Sequence, residues 1–131
     1  MTAAPLEHAE AAMLIRAVRG LEPAHPELRL LYAIPNGGKR SRKTAADLKA
    51  EGVRSGVPDY CLPVARGVWH GLYLELKRLR GGRVEPEQRA WLSDLEAQGY
   101  RAVVCRGWEQ ALAEIRDYLA ADAVAANDGG E

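Results

Sequence analysis

The 131-residue sequence has no phenylalanine, only two cysteines and no net charge. Each shortage excludes something. Two thiols, Cys61 and Cys105, are too few for a disulfide scaffold or a thiolate zinc cluster, and they read as reduced residues of a cytoplasmic protein. No apolar run approaches the roughly 18–20 residues of a membrane span. Met1–Glu10 lacks the basic and apolar stretches of a secretory signal. There is no internal repeat, low-complexity block, Walker loop, GxSxG elbow or dinucleotide fingerprint. His8, His25 and His70 lack metal-ligand spacing. Trp69, Trp91 and Trp108 fall on separate elements, so no aromatic platform for single strands is expected.

What is present fits one globular domain. Hydrophobic residues make up 47% and charged residues 27%, sufficient at this length for a buried core. The domain is expected over residues 1–121, with a disordered tail at 122–131. The zero net charge conceals an asymmetry: Met1–Leu28 carries −2, Arg29–Arg89 +7 and Ala90–Glu131 −5. A basic middle segment attracts polyanions through its local field, whatever the total charge.

Apolar periodicity gives the elements. Glu7–Arg19 reads as a helix, with Leu6, Met13, Leu14, Ala17 and Val18 on one stripe. Leu28–Ile34 reads as a strand ended by Pro35, before the turn Asn36-Gly37-Gly38. Ser41 can cap a helix over Arg42–Glu51. Strands follow at Asp59–Val64 and Val68–Lys77, joined at Arg66-Gly67. Pro86 opens a third helix with Trp91, Leu92 and Leu95 inward. Arg101–Cys105 is a strand, and Trp108–Leu119 an amphipathic helix with Leu112, Ile115 and Leu119 on one face. The order makes an α/β fold with a central mixed β-sheet flanked by α-helices.

Within that order one pair stands out. Asp59 and Glu75 are equidistant from Gly67, so a hairpin centred there sets them directly opposite each other on one face. Two ionised carboxylates at such range repel unless a cation lies between them. Lys77, two residues from Glu75, shares that face. The carboxylates, the ammonium and the Leu76 carbonyl converge, a donor set suited to a hard divalent cation such as Mg²⁺.

Those residues resemble a known family. Gly56-Val57-Pro58-Asp59-Tyr60, followed after 14 residues by Glu75-Leu76-Lys77, is similar to the PD-(D/E)xK nuclease motif. A helical Glu near the N-terminus (Glu7 or Glu10), Gln88 after Pro86-Glu87, and the stretch Ala33–Ser41 extend the resemblance to the VRR-NUC subfamily. It spans Glu7 to Leu119, with five elements in order.

The resemblance implies a restriction-endonuclease-like core and metal-dependent hydrolysis of DNA phosphodiesters. By it, Asp59, Glu75 and the Leu76 carbonyl hold Mg²⁺ or Mn²⁺. Lys77 orients or deprotonates the attacking water. Gln88 fixes Lys77, the water or a phosphate oxygen. The N-terminal acid is Glu7 by family alignment, although Ala11 stands where members commonly carry Gln; helical periodicity favours Glu10. Stand-alone members of this size resemble structure-selective enzymes, some cutting four-way junctions as homodimers. Lys39, Arg40, Arg42, Lys43, Arg54 and Arg78 are then the expected DNA-backbone contacts, and the setting a bacterial or phage-infected cell. The rival expectations are an inactive DNA-binding module of the same fold and a phage accessory domain that contacts protein.

Overall fold

The structure, a computed structural model, describes residues 3–35 and 42–122, with side chains described over 7–35 and 44–122. In chain order it has α1 (Ala3–Leu21), a 3-10 turn (Pro26–Leu30), β1 (Tyr32–Ala33), α2 (Arg42–Ala50), β2 (Tyr60–Leu62), β3 (Leu72–Lys77), α3 (Pro86–Ala97), β4 (Arg101–Arg106) and α4 (Trp108–Ala120). The strands form one sheet in the order β1-β2-β3-β4. β1 and β3 both run antiparallel to β2, while β4 is parallel to β3. The parallel pair requires a crossover, and α3 supplies it. This is the mixed α/β architecture the sequence implies.

Alternation along β3 sorts the two faces. Leu72, Leu74 and Leu76 point into the core, joined there by Leu14 and Val18 of α1 and by Ala111, Ile115 and Tyr118 of α4. Tyr73, Glu75 and Lys77 point the other way. On that second face Gln88 of α3 reaches Glu75, so the sheet is covered from both sides.

Several boundaries differ from the sequence reading, among them the strand read as Val68–Lys77, which pairs only over Leu72–Lys77. Leu28–Ile34 is not one strand: Pro26 starts a 3-10 turn, with the Leu28 N–H donating to the His25 carbonyl, and only Tyr32–Ala33 pair with β2. A proline at the first position presets the turn's φ and outweighs the apolar run. β2 stops at Leu62, because Pro63 has no N–H to continue the ladder. The connecting turn is centred between Gly67 and Val68, where Arg66 bridges Trp69, rather than on Gly67 itself. The ladder register is nonetheless the one expected: Tyr60 faces Leu74, Cys61 faces Tyr73 and Leu62 faces Leu72. The paired rows end at Tyr60 and Leu74; Asp59 is the next residue, at a bend before β2, where its carboxylate accepts the Leu76 N–H. Residues 36–41 and 123–131, which carry the expected Asn36-Gly37-Gly38 turn, the Ser41 cap and most of the disordered tail, lie outside the described residues.

Gly56 decides how closely α3 approaches the strand that carries Asp59. Its φ is +90°, and a Cβ there would sit 3.0 Å from Glu87 Cγ, the Glu87 carbonyl oxygen and Trp91 Cδ1. Any side chain must push the Gly56–Asp59 segment away from α3 while adopting an unfavourable backbone conformation. Gly56→Ala should therefore lose about 1–3 kcal/mol in urea denaturation. Gly20→Ala in α1, with nothing within 4 Å of the new methyl, should be neutral or slightly stabilising.

Candidate active site

Asp59 precedes β2, and Glu75 and Lys77 close β3, so the sheet delivers all three to one end of one face. Glu75 is 3% and Lys77 7% exposed. The Lys77 ammonium lies 3.4 Å from Glu75 Oε2. The same oxygen accepts a hydrogen bond of 2.8 Å from the Gln88 amide nitrogen. Gln88 Oε1 accepts the Glu85 N–H at 2.8 Å, so the amide is fixed at both ends while it caps the first turn of α3. Glu75 Oε1 is buried and has no hydrogen-bond partner. A buried carboxylate oxygen without a partner is costly unless a cation meets it.

Asp59 Oδ2 accepts the Leu76 N–H at 2.7 Å. An extended residue sends its N–H and C=O to the same side of its strand, so the Leu76 carbonyl also faces the Asp59 side. The geometry thus brings the two carboxylates and that carbonyl to one place. Burial, more than any neighbour, pushes the Glu75 carboxyl up to about 7, with repulsion from Asp59 and Glu7 adding to it and Lys77 opposing. Burial also raises Asp59, against the Leu76 hydrogen bond and the Lys77 charge.

The two candidate N-terminal glutamates separate. Glu7 acts electrostatically on both Asp59 and Glu75, and its Oε2 lies 3.5 Å from where a Cβ on Gly82 would stand. Glu10 is engaged elsewhere: its Oε1 accepts the Trp108 N–H at 2.7 Å, placing negative charge on the N-terminus of α4. The periodicity that favoured Glu10 as the site residue reflects this helix contact. Gln88 also departs from expectation, since it holds Glu75 rather than Lys77.

Among the described residues, no three His, Cys, Asp or Glu side chains gather into a ready metal cage. The donors that do converge are hard oxygens, two carboxylates and a carbonyl. That set fits Mg²⁺ or Mn²⁺, which keeps waters and takes substrate phosphate oxygens to complete its shell. The unpartnered Glu75 oxygen is the observation that favours the fit.

Of the expected DNA contacts, Arg54 is exposed and Arg78 half-buried. Arg78 Nε is buried without a partner. Lys39 and Arg40 lie outside the described residues, and the side chains of Arg42 and Lys43 are likewise not described. Sequence reasoning missed Arg106, whose guanidinium donates to the Gly81 carbonyl at 2.6 Å and pins the loop after β3. Its place at the last residue of β4, beside Lys77 in the parallel register, was one residue beyond the strand end read from the sequence.

The model of the VRR-NUC domain family matches residues 16–109. The chain belongs to that family. A solved structure described as a "VRR_NUC domain protein" is similar at a TM-score of 0.75 and 25% identity, over 89% of this chain and 90% of that one. No curated protein matches. VRR-NUC domains are nuclease-type, DNA-acting domains with a restriction-endonuclease-like core. The matched residues include Asp59, Glu75, Lys77 and Gln88 but not Glu7.

A carboxyl raised in the folded state stabilises the metal-free protein below its unfolded pKa of 4.5 and loses that contribution as pH climbs through about 7. In EDTA, the urea midpoint should fall between pH 5 and pH 8, the Glu75 share being on the order of 3 kcal/mol. Glu75→Gln should be more stable than wild type at pH 8 and should flatten the profile. A wild-type profile that rises across this window would contradict the buried-carboxyl account.

Proposed function

We propose that the chain is a divalent-metal-dependent endonuclease that hydrolyses phosphodiester bonds of branched DNA, four-way junctions included, without sequence preference. The observation that carries this reading is the buried, partly unpartnered Glu75 at the same end of the sheet as Asp59, with Lys77 beside it. A protein that only bound DNA would gain nothing from two acids set against a polyanion.

Asp59, Glu75 and the Leu76 carbonyl would hold Mg²⁺ or Mn²⁺. Once bound, such an ion supplies Lewis acidity at the phosphate and a lowered pKa for water. The chain's own residues do the rest. Lys77 places its ammonium where negative charge grows on the phosphoryl oxygens, and the low exposure of the site strengthens that interaction. It also orients the attacking water. Gln88 is a positioning residue: its amide keeps Glu75 Oε2 in place, so that Oε1 is left for the metal. Glu7 adds negative charge at the edge of the site and raises its demand for a cation.

Arg54 and Arg78, with Lys39, Arg40, Arg42 and Lys43, would grip the backbone. Such contacts position DNA and make binding salt-dependent but do not read sequence. Two symmetric incisions across a junction need two sites, so the active species would be a homodimer.

The test is cleavage of labelled four-way junction, flap, nicked and linear duplex DNA in Mg²⁺, Mn²⁺ or EDTA. Wild type should cut branched DNA in either metal and not in EDTA. Lys77→Ala should lose about 10²–10³-fold in rate, as when one transition-state donor is removed. Gln88→Ala should lose about 10–100-fold, with weaker metal affinity rather than weaker DNA binding. Binding without cutting under any metal would overturn the nuclease reading and leave an inactive DNA-binding module.

A further inference from the structure

Beside the carboxylates, on the same sheet face, lies a group of aromatic rings that the proposed chemistry does not use. Tyr32, Cys61 and Tyr73 form one row across β1, β2 and β3, since Tyr32 faces Cys61 and Cys61 faces Tyr73. The row sits two residues from Asp59 on one strand and two from Glu75 on the next, about 7 Å of strand. That is roughly the length of one extended nucleotide. Tyr100 packs edge-on against Tyr73, with ring centres 5.4 Å apart, and His70 edge-on against Tyr100 at 5.7 Å.

The arrangement is built rather than incidental. A Cβ on Gly71 would stand 3.3 Å from the Tyr100 ring, and one on Gly99 only 2.5 Å from His70. Both rings therefore depend on glycines that leave room for them. Tyr32 and Tyr73 flank Cys61 in that row, one on each neighbouring strand. Tyr32 keeps 51% of its surface exposed, and His70 is exposed as well. A large aromatic side chain left half-exposed beside the carboxylates is open to a flat partner.

We propose that this row, with Tyr32 as its outermost ring, is a stacking platform for an unpaired nucleobase of the strand whose phosphate enters the Asp59–Glu75 site. The inference rests on the nuclease reading, because a polyanionic strand at the carboxylates is what brings a base over Tyr32. It goes beyond the sequence reading, which weighed the tryptophans alone. Bases stack on aromatic faces whatever their identity, so the platform would select unpaired over paired nucleotides without reading sequence. A base held in a duplex could not lie flat on a sheet. Branched DNA offers unpaired or easily opened bases at its junction, and linear duplex does not.

The experiment uses the full chain in Ca²⁺ at fixed ionic strength, so that an oxygen-seeking cation offsets the carboxylates, with cleavage monitored on the same samples. The probes are a fluorescently labelled oligothymidylate and the same backbone made entirely of abasic nucleotides. Wild type should bind the base-containing strand about tenfold more tightly than the abasic one, within the range for one stacked base. Tyr32→Ala should bind both alike, Tyr32→Phe should keep the preference, and Tyr32→Leu, similar in apolar area but without a π face, should lose it. Thermal melting of each variant reports folding, and Leu against Phe decides the matter even where Ala unfolds.

Equal binding of the two strands by wild type would overturn the platform, as would a preference that survives in Tyr32→Leu. A wild type blind to bases that self-associates through Tyr32 would also overturn it, in favour of an interface between copies. Cleavage in Mg²⁺, measured separately, tests the nuclease reading. Base preference without cutting leaves the platform and removes the enzyme; cutting without base preference does the reverse.

Discussion

Two carboxylates on facing strands, withdrawn from water and repelling each other, are the constraint that the rest of this structure answers. Asp59 and Glu75 could not share a buried sheet face without compensation. Three partners supply it in part: the Lys77 ammonium, the Gln88 amide and the Leu76 N–H. Compensation remains incomplete, since Glu75 Oε1 has no partner and Glu7 adds repulsion. A structural ion pair would not be built this way, because burying an extra acid beside it only costs stability. The proposed metal site would account for it.

Much of the fold serves to hold that arrangement. The register of β2 against β3, with the Leu76 N–H donating to Asp59, brings the carboxylates to one end of the sheet. The crossover through α3 is needed for the parallel β4, and the same helix delivers Gln88 from above. Gly56 allows that helix to lie against the segment leading to Asp59. On the other face, Glu10 ties α1 to the start of α4, so that Glu7, three residues earlier and nearly one turn away, is carried to the edge of the site. Positioning of the candidate site and core packing are thus shared among the same few contacts.

The grouping of Asp59, Glu75 and Lys77 was more legible in the sequence than the boundaries of the elements around it. Asp59, Glu75 and Lys77 follow from a local count, because strand alternation and hairpin pairing have a strict period of two. The register held although the turn itself is shifted by half a residue, since the irregularity is absorbed between Leu62 and Leu72, outside the paired rows. What depends on distant contacts was harder to read. Choosing between Glu7 and Glu10 required knowing that the N-terminus of α4 lies beside α1. The first strand was overdrawn because an apolar run cannot by itself distinguish a strand from a 3-10 turn opened by Pro26. The tyrosine row was invisible for a similar reason: Tyr32, Tyr73 and Tyr100 are far apart in sequence and meet only through pairing.

The most direct test of the central claim is Mn²⁺ binding by the protein alone at pH 8, followed by electron paramagnetic resonance of the free ion. Wild type should take up Mn²⁺ saturably, and Asp59→Asn, which removes one charge while keeping the shape of the side chain, should weaken that uptake at least tenfold. Uptake that is absent, or unchanged by Asp59→Asn, would contradict the account that these buried acids are arranged to hold a metal.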